Sequence, residues 1–192
     1  MAVLVEAISV IIRRDAINQR FAGGWEAFVD CVPNATLCYD EDLVRVGFMA
    51  PADVQAFIHR LEVRGLRFLD RHNQAVNIAV ADQQRGLMVD CDWLEFAQLN
   101  FMDHGKVGAC WLFEGPRLAH GVHLPGGSLT LATPPDWEYE NSLSKEFSFV
   151  PAGIEESRLE YLRTEDGVDV YWDNEEEKEV FLGRTEHGRG VT

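Results

Sequence analysis

The acidic residues best placed for chemistry are Asp90 and Asp92, which flank Cys91. On a strand, alternate residues share a face, so the two carboxylates would lie together and the thiol opposite. Carboxylates that close together could split their pKa values for acid–base work, or they could bind a hard cation. Alternatively, the two residues lie on an exposed sheet edge or in a turn, because no third ligand residue can be identified from the sequence. Asp90 and Asp92 are therefore candidate ligand-binding residues, with no metal assigned.

Four arginines form what we call the basic cluster: Arg60, Arg64, Arg67 and Arg71. Arg60 and Arg64 lie one helical turn apart and share a face. The N–H fork of a guanidinium matches the oxygens of an anion such as phosphate, which makes the cluster a candidate anion site. Alternatively, the arginines pair with acidic residues of the same chain or of a second copy, since most arginines serve surfaces and interfaces.

Two histidines, His120 and His123, are three residues apart before the sequence Pro125-Gly126-Gly127. On a helix that spacing could hold a metal, but the surrounding residues favour a strand or loop, where the two side chains would diverge. We keep His123 as a ligand candidate without a metal. The glycine patterns of nucleotide sites and the Gly-x-Ser-x-Gly pattern of hydrolases are absent, so no cofactor and no catalytic residue is assigned.

The chain contains five tryptophans, which is many for 192 residues. Trp137 and Tyr139 flank Glu138 in a weakly patterned region. An exposed aromatic pair among acids suits a protein interface or a ligand cleft. The alternative is that the rings fill the junction between two parts of the protein, because aromatic side chains mostly provide core area.

The elements that would position these residues divide the chain into two parts. In residues 1–86 the patterns predict a β-α-β-β-α-β order, the arrangement of a ferredoxin-like fold. The predicted elements are a strand over Val3–Arg14, helices on both sides of Gly23-Gly24, strands over 35–39 and 43–48, a helix from Pro51, and a strand over 76–80. The first strand is apolar on both faces, so we expect the second part to cover the open face of the sheet and to form one compact unit with the first.

Residues 87–192 show no convincing long helix and are predicted to be mostly antiparallel β structure. The predicted strands cover 87–92, 93–101, 107–114, 121–124, 128–133, a segment near 147–150, a hairpin of 158–163 with 168–172 around Asp166-Gly167, and 179–183. Segment 93–101 stays open between strand and helix, because Asp92-x-x-Glu95 could also cap a short helix. The fold class predicted for the whole chain is α+β.

The net charge of −15 comes from 17 Lys and Arg against 32 Asp and Glu. Such a charge argues against nucleic acid and against anionic membrane surfaces as partners. The excess is concentrated in the second part: residues 1–86 hold 11 acidic and 9 basic residues, whereas residues 87–192 hold 21 and 8. Residues 136–186 alone carry 16 acidic and 5 basic residues.

These observations predict a non-catalytic binding or regulatory protein whose acidic second part engages a basic protein partner. Alternatively, the acidic residues only cover a solvent-exposed β surface, and repulsion between them keeps the protein soluble. A second hypothesis is a small-molecule-binding protein or an enzyme with a cleft between the two parts. Homo-oligomerisation through the basic cluster is compatible with both hypotheses. The absence of a basic leader and of a long apolar run predicts a cytoplasmic location, and the irregularly spaced cysteines are expected to be reduced thiols.

Overall fold

The computed structural model describes residues 1–101, 105–113, 130–146, 159–165, 168–174 and 178–183. It is a mixed α+β structure, as predicted. The elements up to Leu87 are β1 (Ala2–Val5), β2 (Ile8–Arg13), α1 (Arg14–Arg20), α2 (Gly24–Cys31), β3 (Cys38–Tyr39), β4 (Leu43–Phe48), α3 (Pro51–Val63), β5 (Ile78–Asp82) and β6 (Gly86–Leu87). The later elements are β7 (Leu94–Phe101), β8 (Gly105–Leu112), β9 (Leu131–Ala132), a 3-10 helix (Tyr139–Asn141), α4 (Leu143–Glu146), β10 (Leu159–Glu165), β11 (Val168–Asp173) and β12 (Lys178–Gly183).

The first sheet has five strands in the order β3-β4-β2-β5-β6, and every neighbouring pair is antiparallel. Helices α1, α2 and α3 pack on one face, where strand residues such as Val10 and Val46 meet Phe28, Phe57 and Leu61 of the helices. The helical face of this sheet therefore forms one of the main apolar cores of the protein.

Helix α3 follows directly from its sequence. Pro51 occupies the start of the helix, where its missing N–H has no intrahelical acceptor in any case. Gly65 ends the helix at φ +107°, a left-handed conformation that glycine adopts without strain. The Leu66 N–H then donates back to the Leu61 carbonyl at 3.2 Å. At 13 residues α3 is short, and no helix among the described residues is long and apolar enough to cross a membrane.

The prediction of a single strand over Val3–Arg14 was wrong. The chain leaves β1 after Val5 and enters β2, in a different sheet, at Ile8. Between them Ala7 has φ +48°, which is uncommon for a residue other than glycine. Gln83 holds this bend, because its side-chain Oε1 accepts from the Ala7 N–H at 3.1 Å and its own N–H donates to the Ala7 carbonyl at 2.9 Å.

The second sheet has the order β7-β8-β1-β9. Strands β7 and β8 form an antiparallel hairpin, with Phe101 opposite Gly105 and Leu94 opposite Leu112. Segment 93–101 is therefore a strand and not a helix. Strand β1 runs antiparallel to β8 and parallel to β9, so the first residues of the chain are part of a sheet whose other strands come from its second part.

The two sheets share an apolar core on the side of the first sheet that carries no helix. Ile11 and Ala79 of the first sheet meet Val3, Leu94 and Cys110 of the second, all of them buried. The expectation that later strands cover the open face of the first sheet is met by these contacts.

A third sheet has the order β10-β11-β12, with both pairs antiparallel. The hairpin and the third strand predicted for this region are confirmed. Arg163 and Glu179 pair across the sheet through two contacts of 2.9 Å, and these hydrogen bonds lower the pKa of the Glu179 carboxyl. The predicted strands over 121–124 and near 147–150, the Asp166-Gly167 turn and the end of the chain after Gly183 lie outside the described residues.

Candidate functional site

The arginines of the basic cluster are exposed and make local contacts. In chain order, their side chains contact the Cys31 carbonyl oxygen (3.1 Å), the centre of the Phe21 ring (5.8 Å), the Leu69 carbonyl oxygen (3.2 Å) and His72 Nε2 (3.0 Å). Within the described part of the chain, none of the four forms an ion pair. Their role toward an anion or a second copy of the chain stays a prediction.

Asp90 and Asp92 do not lie on a strand, because β6 ends at Leu87; the prediction of a strand over 87–92 was wrong. Asp90 forms an isolated bridge with Gln74, and its carbonyl accepts from the Ala75 N–H at 2.7 Å. Asp90 and Cys91 line a cavity of about 540 Å³, whereas Asp92 is exposed and outside it. Among the described residues, no three His, Cys, Asp or Glu side chains are grouped to hold a metal ion.

The remaining predicted residues divide between the core and a cleft. His123 lies outside the described residues. Tyr139 is buried against Leu4 and Val107, and its ring stacks on Phe101 with centroids 5.7 Å apart. Trp137 contacts the same Phe101 ring edge-on at 5.6 Å and also lines a second cavity. Tyr139 therefore fills the core, while Trp137 both packs and faces a cleft.

This cleft, which we call the β1–β2 cleft, lies where the chain bends from one sheet to the other. Its volume is about 520 Å³, within the range of small-molecule sites. Its polar wall residues are Glu6, Asn34, Thr36, Arg45, Asp53 and Trp137. Its apolar walls include Phe48, Met49, Pro134, Pro135 and Leu143. Residues of the first 53 positions and of the segment 134–143 thus meet in one concave site.

Arg45 is the buried charge of the cleft. It lies in the centre of β4, opposite Ile11 of β2, and is only 2% exposed. Its Nε–H donates to Ser9 Oγ at 2.9 Å, and its two Nη groups donate to the carbonyls of Thr36 (3.2 Å) and Glu6 (3.0 Å). All three acceptors are neutral, and within the described residues no carboxylate forms an ion pair with this guanidinium.

The charge of Arg45 is therefore incompletely matched. Burial lowers the pKa of Arg45, and the proximity of Cys38 and Glu6 opposes that shift. Burial also raises the pKa of the Cys38 thiol, so Cys38 is uncharged near neutral pH. A guanidinium keeps its proton even when buried, which leaves a full positive charge in the wall of the cleft.

A hydrogen-bonded network fixes the wall next to Arg45. The Gly47 N–H donates to Thr36 Oγ1 at 2.7 Å, and Asn34 Nδ2 donates to the Gly47 carbonyl at 2.8 Å. Thr36 Oγ1 also lies 2.6 Å from Asn34 Oδ1. Gly47 leaves space for the guanidinium, because a Cβ there would lie 2.6 Å from Arg45 Nη2.

Glu6 joins the two ends of the cleft. Its Oε1 accepts from the Ser144 N–H at 3.0 Å and from Ser144 Oγ–H at 2.7 Å, across 138 residues of sequence. Both side chains are buried. This contact holds the segment from Trp137 to α4 against the bend at Ala7 and so closes one side of the cleft.

Trp137 carries an unmatched donor. Its Nε1–H is buried and has no hydrogen-bond acceptor in the part of the chain that the structure describes. Buried polar groups nearly always have a partner, so this orphaned N–H needs an explanation. The side chains of Arg45 and Trp137 thus lie in the wall of the β1–β2 cleft beside its apolar residues.

No protein-family model, curated protein or solved structure matches this chain. The interpretation of the cleft thus depends on its own geometry.

The sequence prediction found Trp137 but missed Arg45, Glu6, Asn34 and Thr36. One signal was present for Arg45: it is the single charged residue of the apolar strand Leu43–Phe48, and Gly47 follows on the same strand face. A charged residue is almost never fully buried without a partner, so an arginine at such a position points to a polar site. Glu6 had no comparable signal, because its partner lies 138 residues away.

We expect Glu6→Ala to lower the free energy of unfolding by about 2 kcal/mol, because both Ser144 donors lose a buried acceptor. Equilibrium urea unfolding measures the change. Glu6→Gln is the matched control, since its amide oxygen can still accept from Ser144, and we expect it to lose less than half as much. Equal losses in the two variants would contradict the assigned role of the Glu6 oxygen.

Proposed function

We propose that this chain is a small-molecule-binding protein whose ligand occupies the β1–β2 cleft. The observation that carries the proposal is Arg45, a buried guanidinium in a cavity wall whose hydrogen bonds go only to neutral oxygens. Taking a charge out of water is costly unless it is paired, and a bound ligand can supply the missing partner. The size of the cavity and its mixed apolar and polar walls also support a ligand site.

A thermal-shift screen against a broad metabolite library tests this proposal, because a ligand that binds the native state raises the midpoint of unfolding. Ala35 lines the cleft and is exposed, so Ala35→Trp fills the cleft without disturbing the core. Ala22→Trp is the matched control at an exposed position outside the cleft. We expect a ligand that raises the midpoint of the wild type and of Ala22→Trp but not of Ala35→Trp. No shift at millimolar concentration across the library, or equal shifts in all three proteins, would overturn the proposal.

We propose, as a second function, that the acidic second part engages a basic protein partner. Residues 136–186 carry 16 acidic and 5 basic residues, and β10 exposes Tyr161 and Leu162 next to Glu160. Exposed aromatic and aliphatic side chains among acids supply both contact area and electrostatic steering toward a cationic surface.

Capture of basic proteins at low and high salt tests the second function. We expect the double variant Glu160→Lys/Tyr161→Ala to lose a partner that the wild type captures at low salt and releases at high salt. Capture that is insensitive to salt, or that is unchanged in the double variant, would overturn it.

We also propose that residues 1–86 form a ferredoxin-like unit and that the protein is cytoplasmic. The antiparallel order β3-β4-β2-β5, with α1 and α3 on one face, supports the first proposal. The second is supported by four buried cysteines that are free thiols, as expected in a reducing compartment. Burial raises the pKa of Cys110 well above its ordinary value, which keeps that thiol protonated and unreactive.

A further inference from the structure

We propose that the ligand of the β1–β2 cleft is a small organic monocarboxylate, whose carboxylate pairs with Arg45 and whose apolar body lies against Phe48 and Met49. This inference rests on the proposed function and adds the chemical class of the ligand. It follows from the donors, the charges and the apolar walls of the cleft, taken in turn.

The donors of the cleft match an oxyanion. A guanidinium has five N–H groups, and in Arg45 three of them donate to oxygen atoms of the protein. The Cys38 thiol, a weak acceptor, and the Glu6 carboxylate also lie near the guanidinium. The Trp137 Nε1–H lacks an acceptor altogether within the described residues. A carboxylate offers two oxygens with about four lone-pair sites, enough to accept from both side chains.

The charges of the cleft limit the anion to a single negative charge. Glu6 and Asp53 also line this cavity; the Glu6 carboxylate is hydrogen-bonded to Ser144, and Asp53 is exposed. Like charges within a site repel, and the repulsion grows with the charge of the ligand. A phosphate dianion would therefore bind more weakly than a monocarboxylate, although both present oxygens that suit a guanidinium.

The apolar walls require an organic body. Phe48, Met49, Pro134, Pro135 and Leu143 make up much of the lining, and an inorganic anion would leave this surface uncovered. Burying apolar area contributes about 25 cal/mol per Å², so a ligand with an aliphatic or aromatic body gains affinity that a bare ion lacks.

Isothermal titration calorimetry with defined probes tests the ligand class. The probes are hexanoate, phenylacetate and 1-naphthylacetate, each compared with its primary amide, and inorganic phosphate. The amide has the shape of the carboxylate without its charge. We expect at least one carboxylate to bind at least about tenfold more tightly than its amide and than phosphate, because a hydrogen bond to a charged group is worth more than one between neutral groups.

Trp137→Phe tests the second donor, because it removes the N–H and keeps a ring against Phe101. We expect this variant to bind the carboxylate about tenfold more weakly, in line with the loss of one hydrogen bond to a charged group. Trp172→Phe, in β11 and outside the cleft, is the matched control and should bind as the wild type does. Unchanged binding by Trp137→Phe would overturn the role of Trp137.

The remaining outcomes separate the ligand class from the proposed function. Equal binding of a carboxylate and its amide, both blocked by Ala35→Trp, would overturn the monocarboxylate and leave the cleft as the binding site. Binding of phosphate that is tighter than that of every carboxylate, or no binding of any probe, would also overturn the ligand class. In that case the thermal-shift screen of the library still tests whether the cleft binds a ligand. Carboxylate binding that Ala35→Trp leaves unchanged would overturn the inference and place that binding elsewhere.

Discussion

Arg45→Ala is expected to lower the free energy of unfolding by about 4 kcal/mol, because it leaves buried acceptors without a donor and opens a cavity. Three hydrogen bonds are lost at once, to Ser9 Oγ and to the carbonyls of Thr36 and Glu6. The substitution also leaves a cavity between two strands, because the guanidinium is nearly inaccessible to solvent. Equilibrium urea unfolding, followed by tryptophan fluorescence and by circular dichroism, measures the loss.

Arg71→Ala is the matched control, because Arg71 is exposed and its side chain contacts only the neighbouring His72 among the described residues. We expect this control to change the free energy of unfolding by less than about 0.5 kcal/mol. A loss in Arg45→Ala no larger than in the control would show that Arg45 is not held as the structure places it. Gly47→Ala supplies an independent check: its added Cβ must displace the guanidinium, so it should destabilise the fold even though Arg45 is retained.

The local patterns of the sequence predict the elements that are stabilised by nearby residues. Pro51 marks the start of α3, and the predicted strands over 35–39 and 43–48 overlap β3 and β4. The hairpin β10–β11 was found for the same reason, since its two strands are adjacent in sequence. Turn chemistry, apolar periodicity and helix ends are short-range properties, so a single sequence contains them.

The cleft could not be predicted in this way, because each of its parts depends on distant residues. The bend at Ala7 needs Gln83, the wall at Ser144 needs Glu6, and nothing in Val3–Arg14 itself indicates a change of sheet. Asp90 and Asp92 were predicted to share a strand face because they alternate in sequence. In the structure Asp90 instead forms an isolated bridge with Gln74, and only Asp90 of the two lines a cavity. A pattern of residues shows which side chains share a face only when it is known whether the segment is a helix, a strand or a loop.

The core between the two sheets leads to the prediction that the first and the second sheet unfold together. Leu94 is fully buried in that core, where the cluster includes Ile11 and Ala79 of the first sheet. Leu94→Ala should lower the free energy of unfolding by about 3 kcal/mol, since it removes buried methyl groups and leaves a cavity. Because the core is shared, the loss should appear in both sheets, and hydrogen exchange should accelerate equally for amides of β2 and of β8.

Leu162→Ala is the matched control, because Leu162 is 40% exposed on β10. The same deletion of methyl groups at this position should cost less than about 0.5 kcal/mol and leave exchange in β2 unchanged. If Leu94→Ala accelerates exchange in β8 but not in β2, the two sheets unfold separately. Equal acceleration instead means that the shared core and the chain crossing at Ala7 tie the two sheets into a single cooperative unit.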